Sequence, residues 1–206
     1  MPQCAEHGDS GTVVYMGDQL RDELLRRSAR DQQVRHQWLE QQTVDSITVR
    51  EVDADNTARL AEIIDEHGWP GHTLVGTDGA HAAWLLAQHA TPDYQQAWID
   101  LLREAVDRQE ATERDLAYLD DRVLLHQNLP QRYGTQRFGI GNQTSRLWPL
   151  ADRERVNLWR SEIGLSPLDN CDLDQAWRFD ELRHIRDNTP ENTVEAPRQP
   201  SSRFRD

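Results

Sequence analysis

The chain predicts an all-α fold, a single compact multi-helix domain of about six or seven helices with a long glycine-containing loop. Three observations carry this. Apolar residues recur at helical spacing over most of residues 18–186. Helix start and stop signals, such as Thr91-Pro92 and Gly164, punctuate that pattern. No stretch alternates in the way a half-buried strand does. At 206 residues the chain is long enough to bury a core without metals or disulfides.

Residues 1–17 read as a flexible N-terminal segment. The first helix runs from Asp18 to Gln42 on Leu20, Leu24, Leu25 and Val34; its remaining residues are densely charged and form a solvated face. Thr43 to Val52 reads as a connection with a short extended piece at Ile47–Val49. Asp53 or Asp55 caps a second helix carrying Leu60, Ile63 and Ile64, which Gly68 stops. Pro70 to Asp78 reads as a loop, and Gly79 to Ala90 as a third helix, buried on most sides because it is rich in Ala and Leu. Thr91-Pro92 opens a fourth helix with Trp98, Leu101, Leu102 and Ala105. A fifth spans Thr112 to His126, with Leu116, Leu119 and Val123 on one face. Residues 131–151 hold Gly134, Gly139, Gly141 and Pro149 and read as loop. Asp152 caps a sixth helix that Gly164 closes, and a seventh runs from Asp172 to Arg186. The domain therefore spans 18–186, and residues 187–206 read as a disordered polar C-terminal tail.

Composition narrows the function. The formal charge is −13, which argues against free nucleic acid and an anionic membrane surface as partners. All 23 basic residues are arginine. Without lysine there is no Schiff-base chemistry, no phosphate-loop lysine and no kinase lysine. Cys4 and Cys171 have no metal-ligand spacing, and no secretion signal or apolar span is visible, so a reducing cytoplasm is the expected compartment. Gly-x-Ser-x-Gly, His-Glu-x-x-His and Gly-x-Gly-x-x-Gly templates are missing.

Candidate chemistry lies between Gly68 and Gln136, where polar residues interrupt apolar helical sequence. Burying such groups unpaired costs about 1–3 kcal/mol each, so they must find partners or line a cavity. His89 ends a helix with no charged residue from His81 to Ala90 and is a candidate acid or base; the plain alternative is a histidine bonded to a neighbouring carbonyl. Trp84 and Gln88 share one stripe of that helix. Asp121 is a candidate orienter of the imidazole and Arg122 a candidate anion clamp, against an internal salt bridge, which is the stronger reading for Asp121. Tyr133, Thr135 and Gln136 surround Gly134 and offer donors for a carbonyl, against a turn that satisfies its own backbone. Trp69 is a candidate pocket wall, although a core tryptophan beside a helix terminator is the favoured reading. His89, Arg122 and Gln136 are expected to open onto one shared hollow. A metal set of His72, His81 and His89 with Asp78 or Asp121 lacks the i, i+4 histidine pair of a helical zinc motif, so a metal-free site is expected and no cofactor is named.

Gly68-Trp69-Pro70, Ala82-Ala83-Trp84, Gln88-His89-Ala90, Asp121-Arg122-Val123 and Tyr133-Gly134-Thr135-Gln136 together resemble a bacterial family catalogued as a domain of unknown function (DUF 6624-like). Asp31-Gln32, Arg35, Asn56, Pro149-Leu150-Ala151-Asp152, Asn157 and Gly164-Leu165 fit the same pattern. Each motif alone is weak; the ordered set is specific. The resemblance implies a mainly helical bacterial domain, and the arginine-only composition suits a high-GC actinobacterium. It implies no established activity, so no catalytic residue is carried over. Two readings of function stand side by side. One is a small-molecule hydrolase, lyase or isomerase using His89. The other is a non-catalytic protein-interaction module whose polar motifs are structural, with a His-ligated metal enzyme as a third case.

Overall fold

The computed structural model describes residues 16–139 and 145–188, with side chains through residue 184. The fold is predominantly α-helical, with one two-stranded sheet among the described residues. Helix α1 (Met16–His36) ends in a π-helical turn at Gln37–Gln41. It is followed by α2 (Ser46–His67), α3 (His72–His89), α4 (Pro92–Asp107) and α5 (Glu113–His126). Strands β1 (Arg137–Phe138) and β2 (Arg146–Leu147) pair antiparallel, Arg137 opposite Leu147. Helices α6 (Val156–Glu162), α7 (Asn170–Gln175) and α8 (Phe179–Asn188) complete the described chain.

Helix α3 is the centre of the bundle, packed against α1, α2, α4 and α5. Its Ala80, Ala82 and Ala83 let these neighbours approach, and Leu86 is buried among them. Leu24 of α1, Leu60 of α2 and Leu102 of α4 are fully enclosed, each stabilising the fold by about 1.5–3 kcal/mol. Trp69, also in this core, is buried rather than lining an open wall. Trp84 donates Nε1–H to the carbonyl of Asp115 at 2.8 Å and stacks on His81. No described helix is long and apolar enough to cross a membrane.

Several boundaries differ from the sequence expectation: α6 begins at Val156 after Arg155 rather than on an Asp152 cap, and the stretch 131–151, expected as loop, contains β1 and β2. Helix α2 begins at Ser46, because the Asp45 side chain accepts from the Thr48 amide at 2.9 Å; Asp53 and Asp55 lie inside the helix. The β-branched Ile47, Thr48 and Val49 are helical there because Val49 and Val52 pack against Val34. The stretch 70–78 is not a loop: a helical turn starts at His72, and Gly76 (φ 71°) kinks the chain into the rest of α3. The helix expected over 172–186 is two helices. Trp177 breaks it by donating its amide to Leu147 and its indole N–H to Phe138, both at 2.9 Å. Of the expected flexible start (1–17), Met16 and Gly17 open α1, and of the expected tail (187–206), residues 187–188 end α8; residues 1–15, with Cys4, together with Gly141 and the tail beyond 188, lie outside the described residues.

Candidate functional site

The inward stripe of α1 changes character along its length. Leu20 and Leu24 give way, about two and three turns on, to Asp31 and Arg35, both buried. On α2 the partly buried Asp53 and the buried Asn56 precede Leu60 in the same way. The apolar ends of these stripes join the main core, and their polar ends meet the C-terminus of α3. Gln95 of α4 fixes that terminus by donating to the carbonyls of Ala87 and Gln88, at 3.2 and 2.9 Å.

There the His89 ring meets Asp31: Nδ1 lies 2.9 Å from Oδ1 and 2.8 Å from Oδ2. The imidazole side chain is 8% exposed and the carboxylate 1%. Arg35 Nε lies 3.3 Å from both Asp31 oxygens and 2.9 Å from His89 Nδ1, and its Nη2 donates to Asp53. Gln32 adds a 2.9 Å donation to Asp31. Nδ1 cannot both accept from Arg35 and donate to Asp31. A bare Nδ1 lone pair would face two carboxylate oxygens at under 3 Å, so the tautomer with Nδ1–H donating to Asp31 is favoured. His89 Nε2 then carries the free lone pair and has no partner among the described residues.

Burial dominates the electrostatics. It pushes His89 down to about 4, although Asp31 opposes the shift, so the ring is neutral at neutral pH. Burial also works against the Asp31 charge, but His89 and Arg35 outweigh it and hold the carboxyl below the usual range. Burial pushes Asp53 up to about 6 against the pull of Arg35. For His89 the unfolded chain takes up a proton near pH 6.5 that the folded chain refuses until about 4. Its contribution is therefore intact above pH 6.5 and is lost as pH falls toward 4. Asp53 and Asp121 act in the opposite sense over the same window but are common to wild type and a His89→Asn variant. Acid titration of stability is expected to cost the wild type roughly 3 kcal/mol more than His89→Asn, as read by urea melts across that window. Equal pH profiles would mean that His89 is not buried neutral.

Asp31, Asp53 and His89 offer ligand atoms within 4.8 Å of one another. The Arg35 guanidinium occupies the space among them, so a cation would enter only if Arg35 withdrew. The other histidine set is dispersed. His72 contacts the carbonyl of Gln109, His81 stacks on Trp84, and Asp78 pairs with Arg21.

Of the residues singled out in the sequence, Gln88, His89 and Arg122 come together. Arg122 Nε donates to Gln88 Oε1 at 2.7 Å, and its charge reaches His89. Asp121 does not orient the imidazole; Asp31 does. The Asp121 carboxylate is fully buried and accepts from the amides of Arg132 (2.7 Å), Tyr133 (3.1 Å) and Thr135 (3.0 Å), and from the Thr135 hydroxyl (2.9 Å). It folds the 131–136 segment. Burial still outweighs these bonds and pushes its carboxyl up to about 6. Gln136 Nε2 donates to the Tyr118 carbonyl and to Thr135 Oγ1, and its amide donates to Gln131 Oε1. The Tyr133 carbonyl accepts from Arg160 at 2.6 Å. Gly134 (φ 67°) holds a left-handed backbone that strains any other residue, and a Cβ there would press on Leu168 Cδ1 at 2.7 Å; its close neighbours are apolar packing. Tyr133, Thr135 and Gln136 thus form a polar knot tied to α5 through Asp121 and the Tyr118 carbonyl, with no bond to His89 or Arg122 among the described residues.

Asp31, Arg35 and Asp53 were not picked out as site residues from sequence. The usable signal was the continuation of the Leu20–Leu24 stripe into Asp31 and Arg35 at helical spacing. A separate groove of about 600 Å³ opens between α1 and α2, lined by Glu23, Arg26, Arg30, Glu51 and Asn56 among others. It includes neither His89 nor Arg122 nor Gln136.

A model of a family of unknown function, DUF6624, matches residues 18–177. No curated protein and no solved structure matches the chain.

Proposed function

We propose that this chain, which belongs to the family of unknown function DUF6624, is a small-molecule enzyme whose general base is His89, oriented by Asp31. The observation that carries this reading is the 2.8 Å contact between His89 Nδ1 and a fully buried carboxylate, with Nε2 left unbonded. Here one nitrogen is fixed and the other is free, the division of labour that proton transfer requires.

Asp31 sets the tautomer and stabilises the imidazolium formed when Nε2 takes a proton. Arg35 holds Asp31 in place and, through Asp53, ties the pair to α2. The proton removed comes from water in a hydrolysis or from a carbon acid in an elimination or isomerisation; it leaves from Nε2 to the departing group in the first two and to a neighbouring carbon of the substrate in the third. The low basicity of His89 extends its unprotonated range down to about pH 4.

Turnover of a panel of small esters, amides, lactones and hydroxy acids tests the reading. Wild-type protein is expected to act on one class, with a rate flat from neutral pH down to the acid limb near 4. A folded His89→Asn variant that retains full turnover would overturn the assignment. Turnover of no class, with salt-sensitive capture of a basic protein instead, would favour the interaction-module reading.

A further inference from the structure

Among the described residues, Arg122 is a guanidinium with no carboxylate partner. Leu119 and Val123 flank it on α5. Its one hydrogen bond among the described residues is from Nε to Gln88 Oε1. Both terminal nitrogens, with four N–H donors, are unbonded, yet neither is sealed from solvent. Gln88, 4% exposed, presents a second unbonded donor: its Nε2 is buried with no partner. Because Oε1 is fixed by Arg122, that amide nitrogen necessarily lies beside the guanidinium. Unpartnered buried donors of this kind are rare and ask for an acceptor.

We infer that Arg122 and Gln88 form a subsite for the carboxylate of a small-molecule ligand whose reacting end faces His89. This rests on the reading of His89 as a ligand-facing base. The two Arg122 terminal nitrogens match a carboxylate in a planar fork, and Gln88 Nε2 adds a third donor to the same group.

Charge selects carboxylate over phosphate. Asp31 and Asp53 both sit on Arg35, so with Arg122 included the cluster is neutral before a ligand binds, and Arg122 is its one cation with no carboxylate in direct contact among the described residues. A monoanion adds one negative charge beside Arg122. A dianion adds two, near Asp31 and Asp53, and is the more strongly disfavoured. The state of Arg122 agrees: burial, then the charge of Arg35, lowers it to about 10, as expected for a cation lacking its counter-ion, and it stays protonated at neutral pH. Burial and then Arg122 also lower His126, so the field of this guanidinium extends over both histidines.

The experiment is binding of acetate, benzoate and inorganic phosphate to the full chain at pH 8, followed by thermal shift and by the NMR signal of Arg122 Nε–H. Wild type is expected to bind both carboxylates saturably and phosphate at least roughly tenfold more weakly. Arg122→Gln should weaken carboxylate binding by roughly tenfold or more. Gln88→Glu should place an internal carboxylate on Arg122, raise the melting temperature and block the added carboxylate. That second variant keeps the test decisive should Arg122→Gln unfold. His89→Asn should keep carboxylate binding, so loss of turnover with binding retained, or the reverse, separates the two readings. Absence of saturable carboxylate binding to wild type, phosphate binding as tight as carboxylate, or unchanged binding in Gln88→Glu would each overturn the subsite.

Discussion

Asp121→Ala is expected to lower the unfolding free energy by about 3–5 kcal/mol, a large share of the margin of a domain this size. The carboxylate is fully buried and receives three backbone amides and a hydroxyl from the 132–135 segment. Removing it strands those amides in an apolar setting, where each unmet donor costs about 1–3 kcal/mol. Partial relaxation and water entry keep the sum below the simple total. The damage should spread from α5 to the Gln131–Leu150 bridge and the β1–β2 pair, because the same segment leads into them. Asp121→Asn, which keeps the shape and most of the acceptor capacity, should lose about half as much. Urea melts read both. A stable Asp121→Ala protein would mean that this carboxylate serves ligand rather than loop.

Asp31→Asn is expected to reduce turnover by about 10²–10⁴-fold while His89 stays in place. The amide can present N–H rather than O⁻ to Nδ1, which favours the opposite tautomer and removes the charge that stabilises the imidazolium. His89→Asn should match this loss, and the double variant should be little worse than either single one, since the two side chains act as a unit. Asp31→Ala carries a further stability penalty of about 3–5 kcal/mol. It leaves Arg35 buried with Asp53 as its remaining carboxylate partner. Steady-state rates on any substrate found in the panel, together with melts, separate the catalytic loss from the structural one. Additive losses in the double variant would argue that the pair does not work together.

Much of the fold was legible because its signals are local. Thr112 accepts from the Asp115 amide at the start of α5, and Pro92 opens α4, as their spacing foretold. Gly68 and Gly164 end helices with positive φ. What escaped depends on contacts distant in sequence. Val49 is helical because Val34 waits across the α1–α2 seam, and Trp177 breaks a helix to reach Leu147 and Phe138. The site divided in the same way. His89, Gln88 and Arg122 stood out as polar groups in apolar helices. Asp31 was hidden by its setting: in a helix dense with Arg, Asp and Glu, composition does not tell which one charge turns inward. Tyr133, Thr135 and Gln136 looked like ligand donors because a glycine lay among them, but the Thr135 hydroxyl is held by Asp121 and the Gln136 amide by the Tyr118 carbonyl and Thr135, while Tyr133 is bonded through its backbone.

The central claim is that His89 is a neutral, Asp31-bound imidazole with its Nε2 lone pair free, and ¹⁵N NMR of the ring across pH 4 to 8 tests it most directly. The account predicts the Nδ1–H tautomer throughout neutral pH and protonation only near pH 4. A ring that carries its proton on Nε2, or that titrates near 6.5, would contradict it.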